Sequence, residues 1–261
     1  DEVAPGIDPE AAKLLRGELT AKGVTFHLGH RVLRIEAEAV VHADRSGAEQ
    51  RSSGDRVLVC TGRRPNTEGL GLEAQGVDVQ RGAITVDDHG RTNVPGIWAA
   101  GDVTGRLMLA HVASRQAEVV VDRLCGGADH MRWRAIPSVV YTSPEVAAVG
   151  WSEAQAKERG LPVQVAKWPL AANGRFLAEG GSKGLCKAVF HAQTRQLLGV
   201  TLVGGACAEM VGGFAAAIEA ELRIDELTEI VFPHPTVSES LRDAAWSARH
   251  LPRNAKLETR N

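Results

Sequence analysis

The opening third of the chain changes from helical to strand spacing of its apolar positions. Asp8-Pro9 has the form of an N-cap followed by proline at the first helical position, and a helical apolar stripe over 12–19 ends at Gly23. Short apolar runs then predict strands over 24–28, 32–41 and 56–59. A helix followed by short strands is typical of the end of an α/β domain.

The middle of the chain has one long helical pattern. A buried strand is predicted over 94–102, where it ends in Gly101-Asp102, and the helix is predicted over about 110–124. Gly126-Gly127 ends that helix, and the polar segment 129–134 is typical of a linker.

Beyond residue 134 strands and helices segregate. The pattern predicts strands over 138–142, 163–168, 185–191 and 197–203, and helices over 152–159, 206–222 and 224–231. Runs of antiparallel strands with segregated helices indicate an α+β domain, and the small residues of 206–222 suit close packing of one copy on another. After about residue 247 the apolar pattern stops, which predicts a loosely held tail.

Composition narrows the class of protein. The 261 residues are 44% hydrophobic and 24% charged with a net charge of −2, as in ordinary soluble globular proteins, so we expect no nucleic-acid and no membrane partner. Four separated cysteines without a C-x-x-C pair favour a reducing, cytoplasmic location, and we predict no metal site. The start, Asp1-Glu2-Val3, has neither an initiator methionine nor a signal peptide, which suggests a piece of a longer protein.

The candidate catalytic residues lie near the end of the chain. His234 stands between two prolines, and Glu239 follows five positions later. A carboxylate that accepts a ring N–H fixes the histidine tautomer and leaves the other nitrogen for proton transfer. The same residues permit another interpretation, because Thr236-x-x-Glu239 has the form of a capping box that begins a helix.

Two further loops are candidates for ligand binding. Gly62 follows the predicted strand 56–59, and Asp102 follows the strand 94–102, so each lies where α/β sheets meet ligands. The first turn of the next helix presents free N–H groups and the positive end of the helix dipole. A plain turn at Gly62 and a capping role for Asp102 are the alternatives.

Together these segments resemble the pyridine-nucleotide disulfide oxidoreductases, and most closely their dihydrolipoamide dehydrogenase branch. The matching segments in chain order are Val57-x-Val59-Cys60-Thr61-Gly62-Arg63-Arg64-Pro65-Asn66-Thr67, Gly96-Ile97-Trp98-Ala99-Ala100-Gly101-Asp102, Met108-Leu109-Ala110-His111, residues 136–145, Val149-Gly150 and His234-Pro235-Thr236-x-x-Glu239. The window Ala172-Asn173-Gly174-Arg175 is similar to the lipoamide branch.

The resemblance implies a fold class and a domain order. We expect α/β remnants of the NAD- and FAD-binding domains followed by an α+β dimerisation (interface) domain. The expected boundaries are 1–65 for the end of the NAD(P)-binding domain, 66–133 for the returning FAD segment, 134–247 for the dimerisation domain and 248–261 for the tail. The family's Gly-rich fingerprints and its Cys-x4-Cys redox pair are absent, so the chain resembles the C-terminal half of the family.

The resemblance also implies roles. His234 is the acid/base paired with Glu239, and a cis bond is expected at His234-Pro235. The residues implied in FAD or NAD(P) binding are Gly62, Gly101, Asp102, Met108, Leu109, Ala110 and His111. The implied activity of the complete protein is electron transfer between a dihydrolipoamide-like dithiol and NAD(P) through FAD, in a homodimer whose histidine serves the other subunit.

Two alternatives stay open. One is a relative that acts on another disulfide, a quinone or a metal ion, and the other is a dimerisation module without enzymatic activity. The chain alone lacks the redox cysteine pair and is expected to be inactive.

Overall fold

The computed structural model describes residues 2–250 of the chain. The chain forms two compact units, the first made of residues up to 57 together with those from 134 onward, and the second of residues 58–133. Most of the predicted tail, 251–261, lies outside the described residues, while 248–249 belong to the last helix instead of a loose tail.

Among residues 2–250 there are ten strands and seven α-helices, of which those over 79–80, 83–84 and 110–124 belong to the second unit. The strands in chain order are β1 (Arg31–Glu36), β2 (Ala39–Ala43), β3 (Glu49–Ser53), β4 (Val79–Gln80), β5 (Ala83–Ile84), β6 (Ser138–Val140), β7 (Glu145–Gly150), β8 (Val163–Pro169), β9 (Leu185–His191) and β10 (Leu197–Gly204). The helices are α1 (Pro9–Ala21), α2 (Ala110–Leu124), α3 (Glu153–Glu158), α4 (Gly174–Ala178), α5 (Cys207–Glu219), α6 (Ile224–Glu229) and α7 (Ser240–Arg249).

Four predicted elements are wrong. The single strand expected over 32–41 is two antiparallel strands, β1 and β2, with a tight turn between them. The stretches 24–28 and 56–59 are not strands, because a strand needs a hydrogen-bonded neighbour and the described chain pairs nothing with either. The strand predicted over 94–102 is reduced to one isolated bridge, between Arg91 and Trp98. The pattern also missed β7, whose small residues Ala147 and Ala148 carry little strand signal.

The main sheet of the first unit is antiparallel with the strand order β6-β7-β10-β9-β8. One face packs against α5, α6 and α7 through a large core that includes Phe190, Leu202 and Ile218. The other face packs against α1 through Val146 and Val203, and against Ala156 of α3. Because both faces are covered, every residue of β10 is buried, and β10 is uniformly apolar apart from Thr201.

A β-bulge interrupts the pairing of β10 with β9. Leu197 pairs with Phe190 and Gly199 with Val189, so Leu198 is an extra residue. As a result, Leu197 and Val200 both face α5–α7. In a regular strand, two residues three positions apart would face opposite sides of the sheet. Gly199 is required here, because a Cβ would lie 2.1 Å from the carbonyl oxygen of Trp151.

A buried cation joins α1 and α3 to the sheet. Lys187 of β9 is 5% exposed, and its Nζ lies 2.8 Å from Asp8 and 3.1 Å from Glu153. Burial alone would lower the pKa of Lys187, but the hydrogen bond and charge of Asp8 and those of Glu153 outweigh burial and raise that pKa. Asp8 also caps α1, accepting the N–H of Glu10 at 2.9 Å as the sequence predicts.

The first unit also contains a three-stranded antiparallel sheet, β1-β2-β3. Asp44 holds the turn between β2 and β3 by accepting the N–H of Ser46 at 2.8 Å. In the second unit, β4 and β5 form a hairpin over a small core of Val77, Ile84 and Ala99. Among residues 2–250, no helix is both long enough and apolar enough to cross a bilayer.

Replacing Lys187 with methionine should lower the free energy of unfolding by about 3–5 kcal/mol, because the change leaves the carboxylate of Asp8 buried without its partner. Lys167→Met is the matched control: its Nζ pairs with Glu10 at 2.7 Å, but both side chains are more than 40% exposed. The control should lose no more than about 1 kcal/mol. Urea unfolding measures both, and equal losses would contradict a dominant role for Lys187.

Candidate active site

The loop before α7 holds the predicted histidine–glutamate pair. Nδ1 of His234 lies 3.0 Å from Oε2 and 3.2 Å from Oε1 of Glu239. The His234–Pro235 peptide bond is cis, as predicted. The imidazole is 80% exposed whereas the carboxylate is 17% exposed, so a largely buried anion holds a ring that is open to other molecules.

The capping-box interpretation is wrong. No side chain caps the helix that follows, and the hydroxyl of Thr236 instead donates to the carbonyl of Pro233 at 2.7 Å and contacts Ser238. The helix α7 begins at Ser240 instead of Thr236, and Glu239 precedes it rather than lying one turn inside. The carboxylate of Glu239 is therefore directed to His234.

Asn173 fixes this loop from a distant part of the chain. The side chain is 3% exposed, and its Nδ2 donates to the carbonyl of Thr236 at 2.9 Å and lies 3.5 Å from Oε1 of Glu239. Its Oδ1 accepts the N–H of Phe176 at 2.9 Å, which caps α4. Sequence reasoning assigned Asn173 no role beyond its place in the segment 172–175, so this positioning contact was missed.

A cleft of about 300 Å³ lies beside the pair and includes Phe232, Arg242 and Asp243 in its lining. Burial and, less strongly, the negative charge of Glu239 raise the pKa of Asp243, against the opposing charges of Arg242 and His234. Asp243 was also missed by sequence reasoning.

The pair is arranged for acid/base chemistry. A carboxylate within hydrogen-bond distance of Nδ1 selects the tautomer with a proton on that nitrogen, which leaves Nε2 to accept a proton. The same carboxylate stabilises the imidazolium that results. The exposure of the ring allows a substrate to reach it.

The Gly101–Asp102 turn of the second unit is anchored to α2. Gly101 has φ +83°, and a Cβ there would lie 3.2 Å from the side chain of Ala113. Its N–H donates to buried Gln116 at 2.7 Å, and its carbonyl accepts from Thr104 at 2.8 Å. These contacts hold Asp102 at a fixed place, and Gln116 is a further residue that sequence reasoning missed.

The remaining predicted cofactor residues are Gly62 and those at the start of α2. Leu109 precedes α2 with an apolar side chain that supplies no cap, and the first turn that follows contains Ala110 and His111. Gly62 has φ +117° and its neighbour Arg63 lies 3.4 Å from Asp102. The half-exposed carboxylate suits a ligand hydroxyl and the uncapped helix start suits partial negative charge, so these residues fit the ribityl chain and the polar ring edge of a flavin.

The cysteines offer no disulfide chemistry of the family's kind. All four are unpaired, and Cys186 and Cys207 are buried. Burial raises the pKa of each of these two thiols to about 12, so neither is a thiolate at neutral pH.

Two family models match the chain. The model described as pyridine nucleotide-disulphide oxidoreductase matches residues 1–117, and the dimerisation domain of the same family matches residues 136–245. The chain belongs to the pyridine nucleotide-disulphide oxidoreductase family, and the predicted fold class is confirmed. The family uses FAD and a pyridine nucleotide, which confirms the predicted cofactors. The predicted domain boundaries stay predictions.

Curated relatives are named dihydrolipoyl dehydrogenases. The chain is 38% identical to dihydrolipoyl dehydrogenase 3 of Pseudomonas putida over 95% of its length and 54% of that protein. Identity to the enzyme of Thermus scotoductus is 39%, over 94% of the chain and 54% of that protein. The chain therefore spans about half the length of the curated relatives it matches.

Two solved structures superpose closely on this chain. The HOCl-induced flavoprotein disulfide reductase RclA of Escherichia coli superposes with a TM-score of 0.83 at 31% identity, over 93% of this chain and 56% of that one. LpdA of Mycobacterium tuberculosis gives the same TM-score and identity, over 93% of this chain and 53% of that one.

Proposed function

We propose that the complete protein is a dihydrolipoamide dehydrogenase that exchanges electrons between a dithiol and a pyridine nucleotide, and that this chain supplies its acid/base and part of its flavin site. The observation that carries the proposal is the contact of His234 with the largely buried carboxylate of Glu239 at 3.0 Å. Sequence identity of 38% and 39% to two dihydrolipoyl dehydrogenases, over 95% and 94% of the chain, supports the proposal.

His234 accepts the proton that a substrate dithiol must lose, because the thiolate and not the thiol attacks a disulfide. Glu239 holds the ring with Nδ1 protonated and stabilises the cation, and Asn173 holds the loop that carries Glu239. The proton returns to the thiol product in the reverse direction. A dithiol substrate is a better fit than a quinone or a metal ion, because only the dithiol requires this proton acceptor.

The cofactor residues lie in the second unit. FAD supplies two-electron transfer between the pyridine nucleotide and the dithiol/disulfide pair. The carboxylate of Asp102 would accept a hydrogen bond from a ribityl hydroxyl, and Gly101 would position that carboxylate. Met108, Leu109, Ala110 and His111 would hold the flavin ring edge, and Gly62 would lie beside the nicotinamide nucleotide.

The dimerisation domain forms a two-fold homodimer in this proposal. Its described surface carries apolar side chains that are largely exposed, among them Tyr141 at 79% and Val231 at 92%. Gly212 and Gly213 lie on the outer side of α5, where a Cβ would meet nothing within 4 Å, so a second copy can approach closely. An isologous contact is the commonest arrangement of homo-oligomers.

The cytoplasm is the proposed location, because the four cysteines, at positions 60, 125, 186 and 207, are all unpaired. Disulfides form in oxidising compartments and are rare in reducing ones.

In the complete enzyme, His234→Ala should slow dithiol oxidation by about 10²–10⁴-fold, the range for a positioned acid/base. The half-reaction with NADH needs no imidazole and should keep its rate. Glu239→Gln should slow dithiol oxidation less, because the ring remains but its charge is poorly stabilised. Rapid-mixing kinetics of the two half-reactions measure this. His250→Ala is the control, and an unchanged dithiol half-reaction in His234→Ala would remove His234 from the mechanism.

Asp102→Ala should weaken flavin retention in the complete enzyme, because charge-assisted hydrogen bonds contribute roughly 1.5–3 kcal/mol. That range corresponds to about 10- to 150-fold in the dissociation constant. Absorbance of bound flavin after dialysis is the measurement. Asp55→Ala, which removes an exposed carboxylate of the first unit, should retain flavin like the parent. Equal retention in both variants would argue against the assignment.

Gly213→Arg should convert the dimer to a monomer, because a long charged side chain on the open face of α5 prevents close approach. Gly17→Arg is matched to it, since Gly17 is also an exposed helical glycine with open space, but in α1. Light scattering of the 261-residue chain at micromolar concentration should give dimers for the parent and Gly17→Arg only. A monomeric parent, or a dimeric Gly213→Arg, contradicts the proposed interface.

A further inference from the structure

Three histidines come together at one end of the β1-β2-β3 sheet, and the proposed function gives none of them a role. One ring nitrogen of each of His27, His30 and His42 lies within 4.8 Å of the others. The ring centroids are 4.6–5.3 Å apart. We propose that these three imidazoles bind a divalent transition metal ion of the Zn²⁺ class.

The local fold builds this cluster from two neighbouring segments. His42 belongs to β2 and is 4% exposed, while His27 and His30 lie on the turn that leads into β1. Gly29 has φ +74° between them, and this left-handed turn lets residues three apart carry their rings to the same place. The backbone that positions the rings is therefore fixed by the pairing of β1 with β2.

The distances suit a metal. Nδ1 of His30 lies 2.8 Å from Nδ1 of His42. Two nitrogens that bind one tetrahedral Zn²⁺ at 2.0–2.1 Å stand about 3.3 Å apart, so entry of the ion requires movements of about half an ångström. Imidazole is a preferred ligand of Zn²⁺, Cu²⁺ and Ni²⁺, and three imidazoles leave a fourth position for water.

An outer contact supports the required tautomer. Nε2 of His42 lies 2.9 Å from the hydroxyl of Ser52, which is also 3.4 Å from Nε2 of His27. If Nε2 of His42 donates to Ser52, its Nδ1 has a free lone pair toward His30. Histidines that bind metals commonly donate their second N–H in this way. Without metal, a proton on Nδ1 of His30 bridges the two rings, and that proton moves to Nε2 when the ion enters.

A metal ion bound by the three side chains would cross-link two segments of the sheet. A metal ion that bonds His27, His30 and His42 ties the turn before β1 to the buried side chain of β2. Binding to the folded state alone stabilises it by mass action. The melting temperature of the chain should therefore rise with Zn²⁺ and return when a chelator is added.

Calorimetric titration of the metal-free 261-residue chain with Zn²⁺ tests the site. We expect one ion per chain, and a dissociation constant raised about 100-fold or more by His27→Gln or His30→Gln, because outer partners alone contribute 10–100-fold. Neither of these rings is fully buried, and circular dichroism confirms that each variant is folded. His130→Gln, which replaces an exposed histidine of the second unit, should bind like the parent.

Three outcomes would overturn the proposal. They are a parent chain that binds no Zn²⁺, binding that survives in both His27→Gln and His30→Gln, and binding that is lost equally in His130→Gln. A visible absorption band of Co²⁺ typical of four-coordination, present in the parent and absent from His27→Gln, would support it independently. If the parent chain binds no Zn²⁺, His30 and His42 form a hydrogen-bonded pair and no metal site.

Discussion

The buried ammonium group of Lys187 is the interaction on which the first unit depends. A charge at this depth is tolerated only when carboxylates meet it, and these come from Asp8 before α1 and Glu153 at the start of α3. Both helices are thereby held on one face of the sheet. The ion pair also joins a residue from the segment matched by the first family model to a strand of the dimerisation domain, 179 positions later.

The opposite face of the sheet supports the candidate active site. Leu241, Ala244 and Ala245 of α7 are buried in the core that includes Phe190, so the helix that follows Glu239 is anchored by its apolar side. Asn173 holds the other end of the loop through the carbonyl of Thr236. The imidazole of His234 can be exposed because rigidity is supplied by its neighbours. This division, in which buried groups position an exposed one, is what the proton transfer proposed for His234 would require.

Local signals explain which parts the sequence predicted well. Asp8 with Pro9, and the glycines after α2, mark helix ends by chemistry within a few residues, and the strand 185–191 has a clear apolar run. The strands expected at 24–28 and 56–59 failed because pairing is not local. The helix start expected at Thr236 was wrong because the carbonyl of Thr236 accepts a hydrogen bond from distant Asn173, and the N–H of Ser240 donates to Val237 instead. In the site, the five-residue spacing of histidine and glutamate was visible, whereas Asn173 lies 66 positions from Glu239 and gave no pattern.

The bulge at Leu198 has a consequence for how this strand tolerates changes in length. The extra residue resets the alternation, so Leu197 and Val200 face the same core. Deleting Leu198 would therefore leave Leu197 opposite Phe190 and Thr201 opposite Lys187, because it removes only the extra residue. Deleting one residue between Val200 and Gly204 would instead turn the remaining end of β10 over and exchange its buried sides. Single-residue insertions and deletions are therefore expected to be tolerated in the turn 192–195, and a single deletion at the bulge, whereas changes over 200–204 lose the register.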